Sequence, residues 1–169
     1  MIKSNRKSQH PENRTSLNMA IKYLTSQPRS IYEMRGYLVK KGFNEDLVND
    51  TIEILLKQKY LDDLSFTRIF VESRVNHKPK SKFALAYELK KKGIEPDVIE
   101  DVLKNYNDRD LALKALDTKI KLWEHLDYKN FNQKIINFLQ YRGFSYDISI
   151  SLLTKLNQSE MKSQNERSK

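Results

Sequence analysis

Lys41-Gly42-Phe43, Lys92-Gly93-Ile94 and Arg142-Gly143-Phe144 repeat one pattern three times, at intervals of 51 and 50 residues. Their flanks agree as well. Eight residues before each glycine stand Met34, Leu85 and Ile135, and four before stand Leu38, Leu89 and Leu139. That spacing puts both positions on one face of a helix. Four residues after each glycine comes Asp46, Asp97 or Asp147, ten after comes Ile52, Leu103 or Leu153, and thirteen after comes Leu55, Tyr106 or Leu156. The pattern describes a helix that stops on a left-handed residue, a backbone region glycine enters without a Cβ penalty, with the next apolar residue folded back on the last turn. The aspartate then falls in the first turn of the following helix, at the positive end of its dipole, while Lys41, Lys92 and Arg142 meet the negative end of the helix before.

Helix starts are marked too. Ser30-Ile31-Tyr32-Glu33 is a capping box, Asn44 and Ser145 suit N-caps, Asp62 and Asp63 precede a start, and Pro96 suits a first turn. Nine helices are predicted, over 16–26, 30–41, 45–58, 63–76, 82–92, 96–105, 109–124, 129–142 and 146–156. The fold class is all-α: three tandem three-helix repeats, at 15–61, 62–107 and 108–157. A triplet of about 50 residues buries little apolar surface alone, so the three are expected to lean on one another in an elongated array. The polar segments 1–14, which is basic, and 158–169 are read as flexible tails.

Composition closes off several functions. There is no cysteine, which removes disulfides, thiolate metal sites and cysteine nucleophiles. No run of about 18 apolar residues occurs and the first 14 residues have no apolar core, so a membrane span and a signal peptide are both unsupported and a cytoplasmic location is expected. His10, His77 and His125 stand alone, without the spacing or acidic company of a metal or catalytic site. Neither a Gly-rich phosphate loop nor a nucleophile elbow is present. No enzymatic activity, metal or cofactor is expected.

The formal net charge is +9, of which the tails contribute +3 and +1, leaving +5 on the body. The excess favours encounter with a polyanion, either nucleic acid or an acidic protein surface. It is densest between Arg74 and Lys92, where Arg74, Lys78, Lys80, Lys82, Lys90, Lys91 and Lys92 face Glu88 alone. Such a stretch can be a solvated loop and helix end. Because the excess is local and nearly unbroken, contact with DNA phosphates or an acidic partner is the preferred reading, with Arg142 added from the third repeat. Gly42, Gly93, Gly143, Asp62 and Asp63 are read as structural, the aspartate pair as a helix cap fixing the joint between the first two repeats. Of the aromatic side chains, most are assigned to the core, Trp123 among them, with Tyr141 as the exposed exception.

These residues resemble a known family. Gln27-Pro28-Arg29-Ser30, Glu33-Met34-Arg35 and Leu38-Val39-Lys40-Lys41-Gly42-Phe43 look like the opening motif of the RecX recombination regulators. Tyr60-Leu61-Asp62-Asp63 followed by Phe66, Phe70 and Ser73-Arg74 resembles that family's most recognisable stretch. Lys78 to Ile94, and Phe138 to Tyr146, resemble its second and third repeats. The likeness runs from about residue 17 to 156. Leu64 and Thr67 depart from it where an acidic residue and alanine are commoner, and Tyr141 where a second basic residue is common. The resemblance implies a negative regulator of the RecA recombinase in DNA repair and the SOS response. Such a regulator lies in the groove of the RecA–single-stranded DNA filament and inhibits strand exchange, ATP hydrolysis and coprotease activity. A monomer with weak non-specific DNA binding fits this picture. The alternative is a helix-turn-helix-like, sequence-specific DNA-binding protein, because three-helix units with basic elements also describe such readers. Few base-reading side chains on 45–58, 96–105 or 146–156 speak for it.

Overall fold

Met34 and Leu38, Leu85 and Leu89, and Ile135 and Leu139, the residues eight and four before each repeated glycine, are all fully buried. Each pair is one turn apart on the inward stripe of a helix. Full burial of such a side chain is worth about 1.5–3 kcal/mol, so these six positions carry a large share of the core. Ile52, Leu103 and Leu153, ten residues past each glycine, are buried as well.

The structure, a computed structural model, describes residues 11–167, and the side chains of 13–158. Nine helices and no strand occur among the described residues: α1 (Pro11–Leu24), α2 (Ile31–Lys40), α3 (Glu45–Lys57), α4 (Asp63–His77), α5 (Lys82–Lys90), α6 (Pro96–Leu103), α7 (Asp108–Trp123), α8 (Tyr128–Tyr141) and α9 (Tyr146–Arg167). They form three triplets in tandem, as the glycine period implies.

Two helices differ in extent from the sequence reading. Helix α1 opens at Pro11 rather than 16, with proline at the first helical position, where its missing N–H costs nothing. Ser16 is therefore mid-helix. It is buried, donates to the Asn13 carbonyl at 3.0 Å and sits 2.8 Å from the Thr51 hydroxyl of α3. Helix α9 runs on to Arg167, through most of the segment read as a flexible tail. Residues 157–167 are rich in Gln, Glu, Lys, Met and Arg and hold no Gly or Pro to stop it. The part of the N-terminal tail at residues 1–10 lies outside the described residues.

The chain divides into two compact units. One comprises the described residues up to Thr67 together with Lys90–Val98, the other Arg68–Leu89 together with the residues from Ile99 onward. In the first, α1, α2 and α3 pack pairwise around Ala20, Met34, Leu38, Val48, Ile52, Leu55 and Leu61, with Leu17, Ile21, Tyr37 and Phe43 closing over them. In the second, α7, α8 and α9 pack pairwise. Leu111, Ala112, Ala115, Leu116, Phe131, Ile135, Leu139, Phe144, Leu152 and Leu153 are buried there.

The three glycines are left-handed, with φ of +88° at Gly42, +74° at Gly93 and +86° at Gly143. The N–H groups of Phe43 and Phe144 reach back to the carbonyls of Leu38 and Leu139 at 3.3 and 3.0 Å, giving orphan carbonyls of the last turn a partner. A fourth turn of this kind went unseen in the sequence because it lacks the glycine. Lys59, after α3, has φ +59°, and the Tyr60 N–H bonds the Leu55 carbonyl at 2.9 Å.

Candidate partner-binding surface

Two joints are built from the same parts. In the first compact unit, Ser30 caps α2 in a complete capping box: its hydroxyl oxygen accepts from the Glu33 N–H at 3.1 Å, and Glu33 accepts from the Ser30 N–H at 3.2 Å. The same hydroxyl donates to the carbonyl of Lys92 at 2.7 Å. The next amide, Ile31 N–H, donates to Asp63 at 2.9 Å. Lys92 completes the joint by donating to Glu33 at 2.6 Å, both side chains mostly covered. Gly93 lies so close that a Cβ there would stand 2.4 Å from the Tyr32 Cβ.

In the second compact unit, Ser81 and Lys82, 51 residues after Ser30 and Ile31, repeat the arrangement. The Ser81 N–H donates to the Arg142 carbonyl at 3.1 Å, and the Lys82 N–H to Asp108 at 2.6 Å. A Cβ on Gly143 would stand 2.7 Å from the Ser81 hydroxyl and 2.8 Å from the Ala84 Cβ. In both joints the turn that ends one helix seats its last carbonyl on the first turn of a helix from the preceding repeat. An aspartate from the first turn of α4 or α7 takes the amide that a helix start leaves without a partner.

Asp63 is half-buried. Burial pushes its carboxyl above the ordinary range; the Ile31 N–H works in the other direction, while Asp62, Glu33 and Glu95 add to the rise. Asp62 points elsewhere, accepting from the N–H groups of Leu64 and Ser65 at 2.9 and 3.2 Å and from the Ser65 hydroxyl at 2.7 Å. The adjacent aspartates thus divide the work: one caps α4, the other holds the joint.

The basic residues separate into two groups. Arg74 donates to Glu88 at 2.8 Å, with its guanidinium 4.8 Å from the Phe70 ring centre, and Lys80 donates to the other oxygen of Glu88. Burial alone would raise the Glu88 pKa, but the hydrogen bonds from Lys80 and Arg74 outweigh it and hold the carboxyl below its ordinary range. Arg142 donates to the Pro79 carbonyl at 3.3 Å and lies over the Phe138 ring at 5.0 Å. With Lys92 on Glu33, four of the eight cations singled out in the sequence hold the fold. Lys78, Lys90 and Lys91 are exposed and Lys82 is half-buried. The Arg74–Lys92 stretch therefore does not face Glu88 alone, because Glu33, 59 residues from Lys92, neutralises part of it. No group of three or more His, Asp or Glu side chains able to hold a metal ion occurs among the described residues.

Family models for the first, second and third three-helix domains of RecX match residues 17–55, 62–103 and 107–150. The regulatory protein RecX of Prosthecochloris aestuarii is 36% identical over 135 residues, covering 79% of this chain and 87% of that one. This chain belongs to the RecX family. The regulatory protein RecX of Lactobacillus johnsonii is 29% identical over 144 residues, covering 83% of this chain but 53% of its own length, so the present chain spans about half of that relative. The crystal structure of RecX from Lactobacillus salivarius superposes with a TM-score of 0.72 at 25% identity, covering 87% of this chain and 97% of that one.

Against this RecX background the surface holds aromatic side chains that the sequence reading assigned to the core. Phe83 is 78% exposed, and Tyr32, Tyr60, Tyr87 and Tyr146 are exposed as well, while Tyr141, the one expected at the surface, is 86% exposed. Trp123 is half-buried, its ring edge-on to Phe138 at 5.3 Å. The missed signal is a simple angle. Phe83 and Tyr87 each precede a buried leucine, Leu85 or Leu89, by two residues, and Tyr141 follows Leu139 by two; two residues is about 200° around a helix. Each such aromatic is turned away from the core by the residue that anchors it. None of the helices among the described residues is long and apolar enough to cross a membrane.

Proposed function

We propose that this chain is a negative regulator of the RecA recombinase that lies in the groove of the RecA–single-stranded DNA filament and inhibits strand exchange, ATP hydrolysis and coprotease activity. One observation carries the reading: the three RecX three-helix domains follow one another in order across residues 17–150. In this reading the chain catalyses no reaction, works in the cytoplasm as a monomer, and acts by occupancy alone.

Tandem units suit such a task, since several weak contacts on one chain combine through effective concentration when they meet repeated sites on a filament. The exposed Lys78 and Lys90 and the half-buried Lys82 are the leading proposed points of contact with phosphates or acidic filament surface, with the exposed Lys91 beside them, and binding through them weakens as salt rises. Arg74, Lys80, Lys92 and Arg142 play a lesser part at the surface, because each is already engaged within the fold.

The test is RecA-dependent strand exchange and DNA-dependent ATP hydrolysis with the purified chain at micromolar concentration. Both should fall, and the double variant K78E/K90E should inhibit less while its unfolding free energy stays within about 0.5 kcal/mol of the parent. Unchanged RecA activities with the parent chain would refute the reading.

A further inference from the structure

The turn at Lys41-Gly42-Phe43 is built like those at Gly93 and Gly143 but seats on nothing among the described residues. Beyond the glycine and its two chain neighbours, no atom of the described residues comes within 4 Å of a Cβ placed on Gly42, whereas the other two glycines would clash below 3 Å. Phe43 is half-buried while Ile94 and Phe144 are 4% and 3% exposed. Lys41 is exposed, its ammonium 5.5 Å from the Tyr37 ring centre, where its counterpart Lys92 is paired with Glu33.

We propose that the Gly42 turn is a docking face for the first turn of a helix on a partner protein, one with a Ser or Thr N-cap and an acidic residue three positions later. The two internal joints define the occupant. Each such turn takes up a helix start, offering the carbonyl before its glycine to a donor on the cap residue, and Lys92 adds an ion pair to the third residue of the helix. Backbone carbonyls at the negative end of a helix repel phosphate, so nucleic acid does not fit this seat despite Lys40 and Lys41.

A second copy of the chain does not fit either. Its α2 and α5 starts hold its own Gly93 and Gly143 turns. In the third repeat, α8 begins with an extra turn capped by Asp127, and the position matching Ser30 and Ser81 is the buried Phe131. The series is thus closed at its last repeat and open at its first.

Taking the proposed function as given, the partner helix belongs to RecA. The experiment is co-sedimentation with RecA–single-stranded DNA filaments of the parent chain, K41E and K40E, with zero-length carbodiimide coupling of the parent complex mapped by mass spectrometry. K41E should weaken binding at least about fivefold with thermal unfolding unchanged, and K40E, which removes the same charge one residue away, by less than about twofold. Coupling should join Lys41 to a carboxylate in the first turn of a RecA helix. Equal losses in both variants, no loss in either, or Lys41 joined to this chain's own N-terminal residues or to a loop or strand of RecA would overturn the inference alone. A parent chain that does not sediment with the filament overturns the proposed function, and this inference with it.

Discussion

The Gly42 and Gly93 turns have the same backbone and different surroundings, and the contrast separates two reasons for a glycine. At Gly42 only the dihedral angle matters; at Gly93 the angle and the lack of a side chain are both required, because Tyr32 occupies the space a Cβ would need. A repeat can therefore carry an identical sequence signal where it closes a helix and where it also joins two repeats. What the turn touches is decided by residues far away in the chain.

The largest effect tests that split directly. Gly93→Ala and Gly143→Ala should each cost about 2–4 kcal/mol in urea unfolding, the left-handed penalty plus overpacking, and Gly42→Ala only about 1 kcal/mol. Equal costs at all three would dissolve the distinction. Next in size is the joint acceptor. Asp63→Ala strands the Ile31 N–H and should cost about 1–1.5 kcal/mol, whereas Asp63→Asn keeps an acceptor oxygen and should cost less.

The pH dependence sharpens this. The folded-state pKa of Asp63 is raised above the unfolded value, so between the two the folded chain binds the extra proton. The Asp63 contribution to stability is then greatest below the unfolded pKa and declines as pH rises through the folded one. Asp63→Asn should lack that decline in a pH series of melts; an unaltered profile would contradict the assigned burial. Of similar or smaller size, Lys59→Gly relieves a left-handed lysine and should stabilise the chain by about 0.5–1 kcal/mol. Smallest of all, Glu88→Gln should cost about 0.5 kcal/mol at neutral pH. The Glu88 carboxyl is held low, so its contribution is present above the unfolded pKa and lost as pH falls through the folded one.

Helix number, order and inward faces were legible because glycine punctuation and apolar spacing are local signals. Met34, Leu85 and Ile135 could be placed in the core from their distance to a glycine alone. The joints were not legible in that way. Their serine-bearing helix starts repeat at 51 residues, but the aspartates that receive the amides, Asp63 and Asp108, are 45 apart, so no single register aligns both halves. The basic stretch misled for the same reason: the Lys92 partner lies in another repeat. Phe83 and Tyr87 were misread because aromatic character was weighed above their angle to the buried leucines, whereas Tyr141 is exposed as expected.

Amide hydrogen exchange at Ile31 and Lys82 reaches the twin joint without a mutation. Both are first-turn amides, which in a free helix have no partner and exchange quickly. Protection at both sites well above that of Glu45, the first residue of α3, is the predicted result, with Asp63→Ala releasing Ile31 alone and Asp108→Ala releasing Lys82 alone. Rapid exchange at both sites in the unmodified chain would contradict the account.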